Sequence, residues 1–313
     1  ILRIIEMKKT AFIIGTGPSL RDIDVTKLKD YTTMTFNRAY ISYEEWGFEP
    51  KYYMCIDQND LNSYYSDVNK LVANSSTEKF FLCDLSTNAH HSPVAASEKI
   101  TILHDTEVWP YHGFSTFYDI PEEHTTKRYG NEYITKVYAN AGAMGVRVLH
   151  WMGYNEIAFV GCDCRYRDDE ESNKFITQTG KEYTSHANYD VNHYRNDYFG
   201  EGVSFGKPNQ KEQLFLWDQV SQAAARIPGF NVYSCTKNSN ANRFFEYIDF
   251  EDFLEGKRDG EKGHFYPTEY NLRRGLGHVG VRFSPDVMHL GSFPATSGSA
   301  DKEPFDVQGF YTK

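Results

Sequence analysis

The run SHANYDVNHYRNDYFGEG (residues 185–202) sets two histidines among acids, asparagines and tyrosines. An imidazole titrates near neutral pH, so it can take a proton from a hydroxyl as that oxygen attacks. Tyrosine hydroxyls can hydrogen-bond a departing phosphate and spread its charge without a metal. His193, preceded by Asp190 and Asn192, is one candidate base and His186 its rival; Tyr166, Tyr183 and Tyr194 are the candidate donors. The chain has 11 histidines, so residue type alone selects neither.

A second constellation is FIIGTGPSLRDID (12–24), an apolar run that stops at Gly15-Thr16-Gly17-Pro18-Ser19-Leu20. A dinucleotide fingerprint needs a third glycine where Leu20 stands, and a P-loop needs a Lys-Ser/Thr ending, which is missing. A Gly-x-Gly-Pro-Ser turn after a strand still offers backbone N–H groups and a hydroxyl to a phosphate or ribose. It also serves as a plain turn that uses glycine for backbone freedom. Asn37, ending TFNRAY (35–40), could read a base or ribose edge, or simply form a turn. Asp57 and Asp60 in MCIDQND (54–60) do not make a D-x-D, and RDDEE (167–171) reads as a solvated loop. No metal site is expected.

These groups need elements to carry them. Short β-branched and aromatic runs predict strands over 10–15, 32–37, 52–57, 79–85, 99–104, 156–163 and 230–235. Helical patterns fall between them, most clearly over 141–153 and 209–227, the second closed by Pro228-Gly229. Alternating strands and helices imply a mostly parallel sheet covered on both faces, with the ligand site beyond the strands' carboxyl ends. Residues 105–135 and 164–208 break the rhythm and read as long loops, either functional lids or disordered segments. Beyond residue 255 the chain turns Gly-, Pro- and charge-rich.

The whole chain bounds the partners. It has 313 residues, 40% hydrophobic and 24% charged, which suits one large soluble α/β domain with an appendage. A net charge of −10 argues against a nucleic-acid partner. Five scattered cysteines indicate buried reduced thiols in a cytosolic protein rather than zinc or a disulfide framework. No apolar run approaches the roughly 18 residues of a membrane span, and ILRIIEMKK is too short for a signal peptide. Met7 reads as a natural start, with residues 1–6 upstream of it.

The segment YANAGAMGVRVLHWMGYNEIAFVGCDCRY (138–166) carries the most information. Small residues open a helix, Gly153-Tyr154 ends it, and the next strand delivers Gly161 and Asp163 to the same sheet edge. Here the chain resembles the bacterial lipooligosaccharide sialyltransferases, which use CMP-sialic acid, and the related 6-hydroxymethylpterin-pyrophosphokinase-like domains. Their G-N-G-P-S-L corresponds to Gly15–Leu20, their C-N-Q-F-Y to Phe36–Tyr40, and their T-S-G to Asn140-Ala141-Gly142. Their G-Y-x-E-I and G-x-D correspond to Gly153–Ile157 and Gly161–Asp163. The resemblance spans roughly residues 8–250. Thr16 and Ala141 depart from it, standing where those enzymes carry an asparagine that contacts the nucleotide and a serine that contacts the donor. Asp57 stands near their Asn-Pro.

The resemblance implies a Rossmann-like, mostly parallel α/β sheet flanked by helices (a GT-A-like variant). Its domain is expected over 8–255, with a polar lid over about 164–208; residues 256–313 form a C-terminal extension. The implied activity is metal-independent, inverting transfer of an acidic sugar from a CMP-sugar donor, the co-substrate, to a glycan hydroxyl. His193 would be the base, assisted by Tyr194, Tyr166 and Tyr183. Gly15, Thr16, Gly17, Ser19, Asn37, Asp57, Asn140, Gly142, Gly161 and Asp163 would hold the nucleotide. The alternatives are an ATP- and Mg²⁺-dependent pyrophosphokinase, with Asp57, Asp60 and Asp163 as metal ligands, and a non-enzymatic nucleotide-binding protein. The expected location is the cytoplasm, with a peripheral place at the inner membrane face and a homo-oligomer both left open.

Overall fold

A computed structural model describes residues 8–83, 94–105, 126–128, 131–136, 140–180, 182–206, 210–225 and 227–260. All seven predicted strands form: β1 (Thr10–Ile14), β2 (Thr32–Phe36), β3 (Tyr52–Cys55), β4 (Lys79–Cys83), β5 (Ile100–Asp105), β8 (Glu156–Val160) and β12 (Asn231–Ser234). Three more join their sheet: β6 (Thr126–Arg128), β7 (Asn131–Lys136) and β13 (Glu246–Tyr247). The order is β13-β12-β8-β1-β2-β3-β4-β5-β7-β6, and every pairing except β6 with β7 is parallel.

Both faces of the sheet are buried, which is why the strands read as unbroken apolar runs rather than as alternation. In β1, Ala11 and Ile13 enter one core with Met34, Met144, Phe159 and Trp217. Phe12 and Ile14 enter the other with Leu20, Trp46, Val160 and Phe253. The helices covering the sheet include α1 (Tyr43–Trp46), α2 (Gln58–Asn74), α3 (Ala141–Trp151), α4 (Gln210–Ala224) and α5 (Phe250–Leu254).

From β1 the sheet builds outward through β2 to β7; the chain then returns through α3 to β8 on the other side of β1. The β1–β8 boundary is therefore the switch point, where a crevice opens beyond the carboxyl ends. Residues 105–135 depart from the expected long loop, because β6 and most of β7 fall there and extend the sheet edge. Part of 164–208 is likewise ordered as a separate antiparallel sheet, β9 (Ile176–Thr179), β10 (Glu182–Ser185) and β11 (Ser204–Gly206). Residues 256–260 return to the main sheet. Arg258 places a guanidinium fork on buried Glu156, with Nε to Oε1 and Nη2 to Oε2 both at 2.9 Å. Residues 261–313, most of the expected extension, lie outside the described residues.

Candidate functional site

At the switch point lies a cavity of about 560 Å³. Gly15, Thr16, Gly17, Asn37, Asp57, Asn140, Gly142, Gly161, Asp163, Tyr166 and His193 all line it, so most of the predicted site converges there. Three expected residues do not line it. Ser19 lies just behind Asp163. Tyr183 stacks on Phe205 in the small sheet, with ring centroids 5.9 Å apart. The Tyr194 hydroxyl turns outward to Glu45. His186, the rival base, bonds Thr177 on the small sheet at 2.7 Å and is not part of the lining.

The glycine turn is built by close approach of β1 and β8. Gly15 N–H donates to Val160 O and Gly17 N–H to Gly161 O, both at 2.8 Å. A Cβ on Gly15 would stand 2.4 Å from Gly161 O, and one on Gly17 would stand 2.0 Å from Asp163 Oδ2. Ser19 donates to Asp163 Oδ2 through its backbone N–H (3.3 Å) and its hydroxyl (2.7 Å). Burial pushes the Asp163 carboxyl above its ordinary range, and the Ser19 bonds oppose that shift. The turn's Gly15, Gly17 and Ser19 donors are thus spent inside the protein, so it walls the cavity rather than cradling an anion as a P-loop does.

Donors come instead from α3. Asn140 caps it, its Oδ1 accepting from Ala143 N–H at 2.7 Å, while its Nδ2 donates to Gln213 O at 3.3 Å. Ala141 and Gly142, in the first turn, line the cavity at the helix's positive end.

Asn37 sits opposite in left-handed backbone, φ 47°. An asparagine tolerates that conformation, and such strain gathers at functional positions. Its Nδ2 donates to Asp60 Oδ2 at 3.0 Å, leaving a buried Oδ1 without a donor among the described residues. An amide oxygen held in this way suits a ligand N–H or O–H. Asp60 was not among the expected nucleotide contacts, yet it lines the cavity beside Asp57. Burial, and then the Asp57 charge, raise its carboxyl to about 7.

His193 belongs to an irregular loop. Its Nδ1 lies 2.8 Å from Asp190 Oδ2, and Asp190 is 7% exposed. The same carboxylate accepts from Asn192 N–H (2.8 Å) and Phe199 N–H (3.2 Å), which fixes its position. The ring stacks on Tyr198, centroids 3.9 Å apart and planes at 10°. With Nδ1–H donating to Asp190, Nε2 keeps its lone pair and can accept a proton. Sequence reasoning noted Asp190 but gave it no role. The i, i+3 spacing of the acid and imidazole was the available signal.

The remaining groups are not nucleophiles. Burial raises the Cys162 thiol well above its usual value and pushes Cys164 up to about 12. Burial also raises the Tyr166 phenol, keeping its proton for donation. Among the described residues no three His, Cys, Asp or Glu side chains form a ready metal cage. No helix among them is long and apolar enough to cross a membrane.

Residues 1–169 match the family model of the MptE-like proteins, described as 6-hydroxymethylpterin diphosphokinase MptE-like. The matched part holds the glycine turn, Asn37, Asp57, Asp60, the start of α3 and Asp163, and stops before the His193 loop. Neither the curated proteins nor the solved structures give a match.

Proposed function

The chain belongs to the MptE-like family, and from that premise we propose that it is a nucleotide-dependent diphosphotransferase. The donor is a nucleoside triphosphate with a divalent cation, and the acceptor is an alcohol on a small molecule. This is the alternative weighed from the sequence; the CMP-sugar reading takes second place.

The charge of the cavity carries the choice. Its described lining holds three carboxylates, Asp57, Asp60 and Asp163, against one guanidinium, Arg165. Even with the α3 terminus and a partly protonated Asp60, such a wall repels an anionic nucleotide that arrives without a cation. A Mg²⁺ ion is held by one or two carboxylates together with substrate phosphates rather than by an all-protein cage. Asp57 and Asp60, one helical turn apart at the start of α2, are the residues to hold it. The burial of Asp60 beside the Asp57 charge, which its hydrogen bonds only partly offset, is what such a cation relieves. When bound, the ion neutralises charge developing on the phosphates.

This chain's own groups do the rest. Ala141 and Gly142 offer N–H donors to phosphate oxygens, and Asn37 Oδ1 accepts from the base or ribose. The acceptor hydroxyl attacks the β-phosphorus and its proton passes to His193 Nε2. The bond between the β-phosphorus and the α–β bridging oxygen breaks, so a nucleoside monophosphate leaves and the β and γ groups travel together. Tyr166 can donate to the departing oxygens.

The second reading, transfer of an acidic sugar from a CMP donor to a glycan, rests on the same base and on the order of the motifs. A thermal-shift series with ATP, GTP, CTP, CDP and CMP, with and without Mg²⁺, separates the two. Triphosphates are expected to stabilise the chain only with Mg²⁺, by about 2.7 kcal/mol at a hundred times the dissociation constant. A metal-independent shift with CMP or CDP reverses the ranking.

A further inference from the structure

Arg21 stands on the 3₁₀ turn Pro18–Asp22, immediately after the glycine turn. Its Nε donates to Tyr194 O at 2.9 Å, and its Nη2 donates to His193 O at 2.8 Å and to Asn196 Oδ1 at 3.2 Å. These acceptors lie in a loop without regular secondary structure, where carbonyls need partners from elsewhere. A planar guanidinium can serve adjacent carbonyls at once, which an ammonium cannot do with the same geometry. The Thr16 backbone carbonyl adds an attachment, accepting from Tyr194 N–H at 2.6 Å, and the Tyr198 ring of the same loop stacks on His193.

We propose that Arg21 is a positioning residue, a latch that, beside the Thr16 carbonyl, fixes the His193 loop to the nucleotide turn. The latch sets the base at a constant place relative to the bound donor. Its catalytic meaning rests on the transferase reading above; its mechanical meaning does not.

The test follows hydrogen exchange across residues 190–199 in the full chain, for wild type, Arg21→Ala and Arg21→Lys, beside the MgATP thermal shift. Arg21→Ala is expected to speed exchange in that segment about tenfold or more, with β1, β2 and β8 unchanged and the MgATP shift retained. Arg21→Lys should recover only part of the protection. With an acceptor in hand, kcat in Arg21→Ala falls roughly tenfold or more and KM changes little. Unchanged exchange in Arg21→Ala overturns the latch, and so does loosening spread evenly over the central strands. If no nucleotide shifts the wild type, the diphosphotransferase reading fails, and the exchange data still decide the latch.

Discussion

At the scale of single residues, Asp60 gives the sharpest expectation. Its carboxyl is raised from 3.8 to about 7 by burial first and the Asp57 charge second. The native state therefore holds a proton that the unfolded chain has already released, so stability falls as pH rises from about 4 to 7. Asp60→Asn removes that cost and keeps an acceptor for Asn37 Nδ2. Urea melts at pH 8 should show the variant about 1–3 kcal/mol more stable than wild type, with the difference vanishing below pH 4. The same variant should lose most of the Mg²⁺-dependent nucleotide shift. A variant no more stable at pH 8 would falsify the costly burial of this carboxylate. The sequence showed Asp57 and Asp60 as two acids at a strand end. It did not show that one of them is desolvated against Asn37, because burial is a property of the folded surroundings.

At the scale of elements, β1 and β8 run parallel in register from Thr10↔Glu156 to Ile14↔Val160, and both end in glycine turns. The register places Gly17 against Gly161 O and Asp163, with no room for a methyl group. Gly17→Ala, whose backbone φ of −69° is ordinary, must therefore separate the two turns for steric reasons alone. The expected loss is about 2–3 kcal/mol, read as a lowered melting temperature. The Ser19–Asp163 bond should open with it, and nucleotide stabilisation should weaken. A variant that melts with wild type would show that the turns are looser than drawn. The glycine pattern was legible as a strand-end turn. Whether its N–H groups faced ligand or protein was not, since the answer depends on a strand 140-odd residues away.

At the scale of the whole molecule, the fold is closed by a contact between its first, middle and last described parts. Lys8, Thr10 and Arg258 all donate to Glu156, which is 1% exposed. Burial would raise that carboxyl, but bonds from Arg258, Thr10 and Lys8 outweigh it and hold it at about 2, below the usual 4.5. This stability is present above pH 4.5 and drains away as the pH falls toward 2. Arg258→Ala should cost about 2–4 kcal/mol at pH 7, less than the loss of a lone partner because Lys8 and Thr10 remain. Its acid limb should also be shallower than that of wild type. Equal stability of the two chains at pH 7 would place residues 256–260 outside the folded unit, as the composition break near residue 255 had suggested.

The sequence by itself determined the parallel sheet, the two-sided core and the conjunction of Gly15, Asn37, Gly142 and Asp163 at one edge. Strand runs, helix caps and turn residues are local signals, and parallel order follows from their alternation. Residue type left His193 and His186 as rivals among 11 histidines and the resemblance singled out His193; the fold places its ring against Asp190 and Tyr198 in the cavity lining. Only the tertiary structure decided which polar groups still had bonds to offer. It committed Ser19 to Asp163, the Thr16 carbonyl to the loop and Tyr194 to Glu45, and it left the buried Asn37 Oδ1 without a donor among the described residues. Hydrogen-bond capacity is finite, and the partners that use it up are distant in sequence and adjacent only in space.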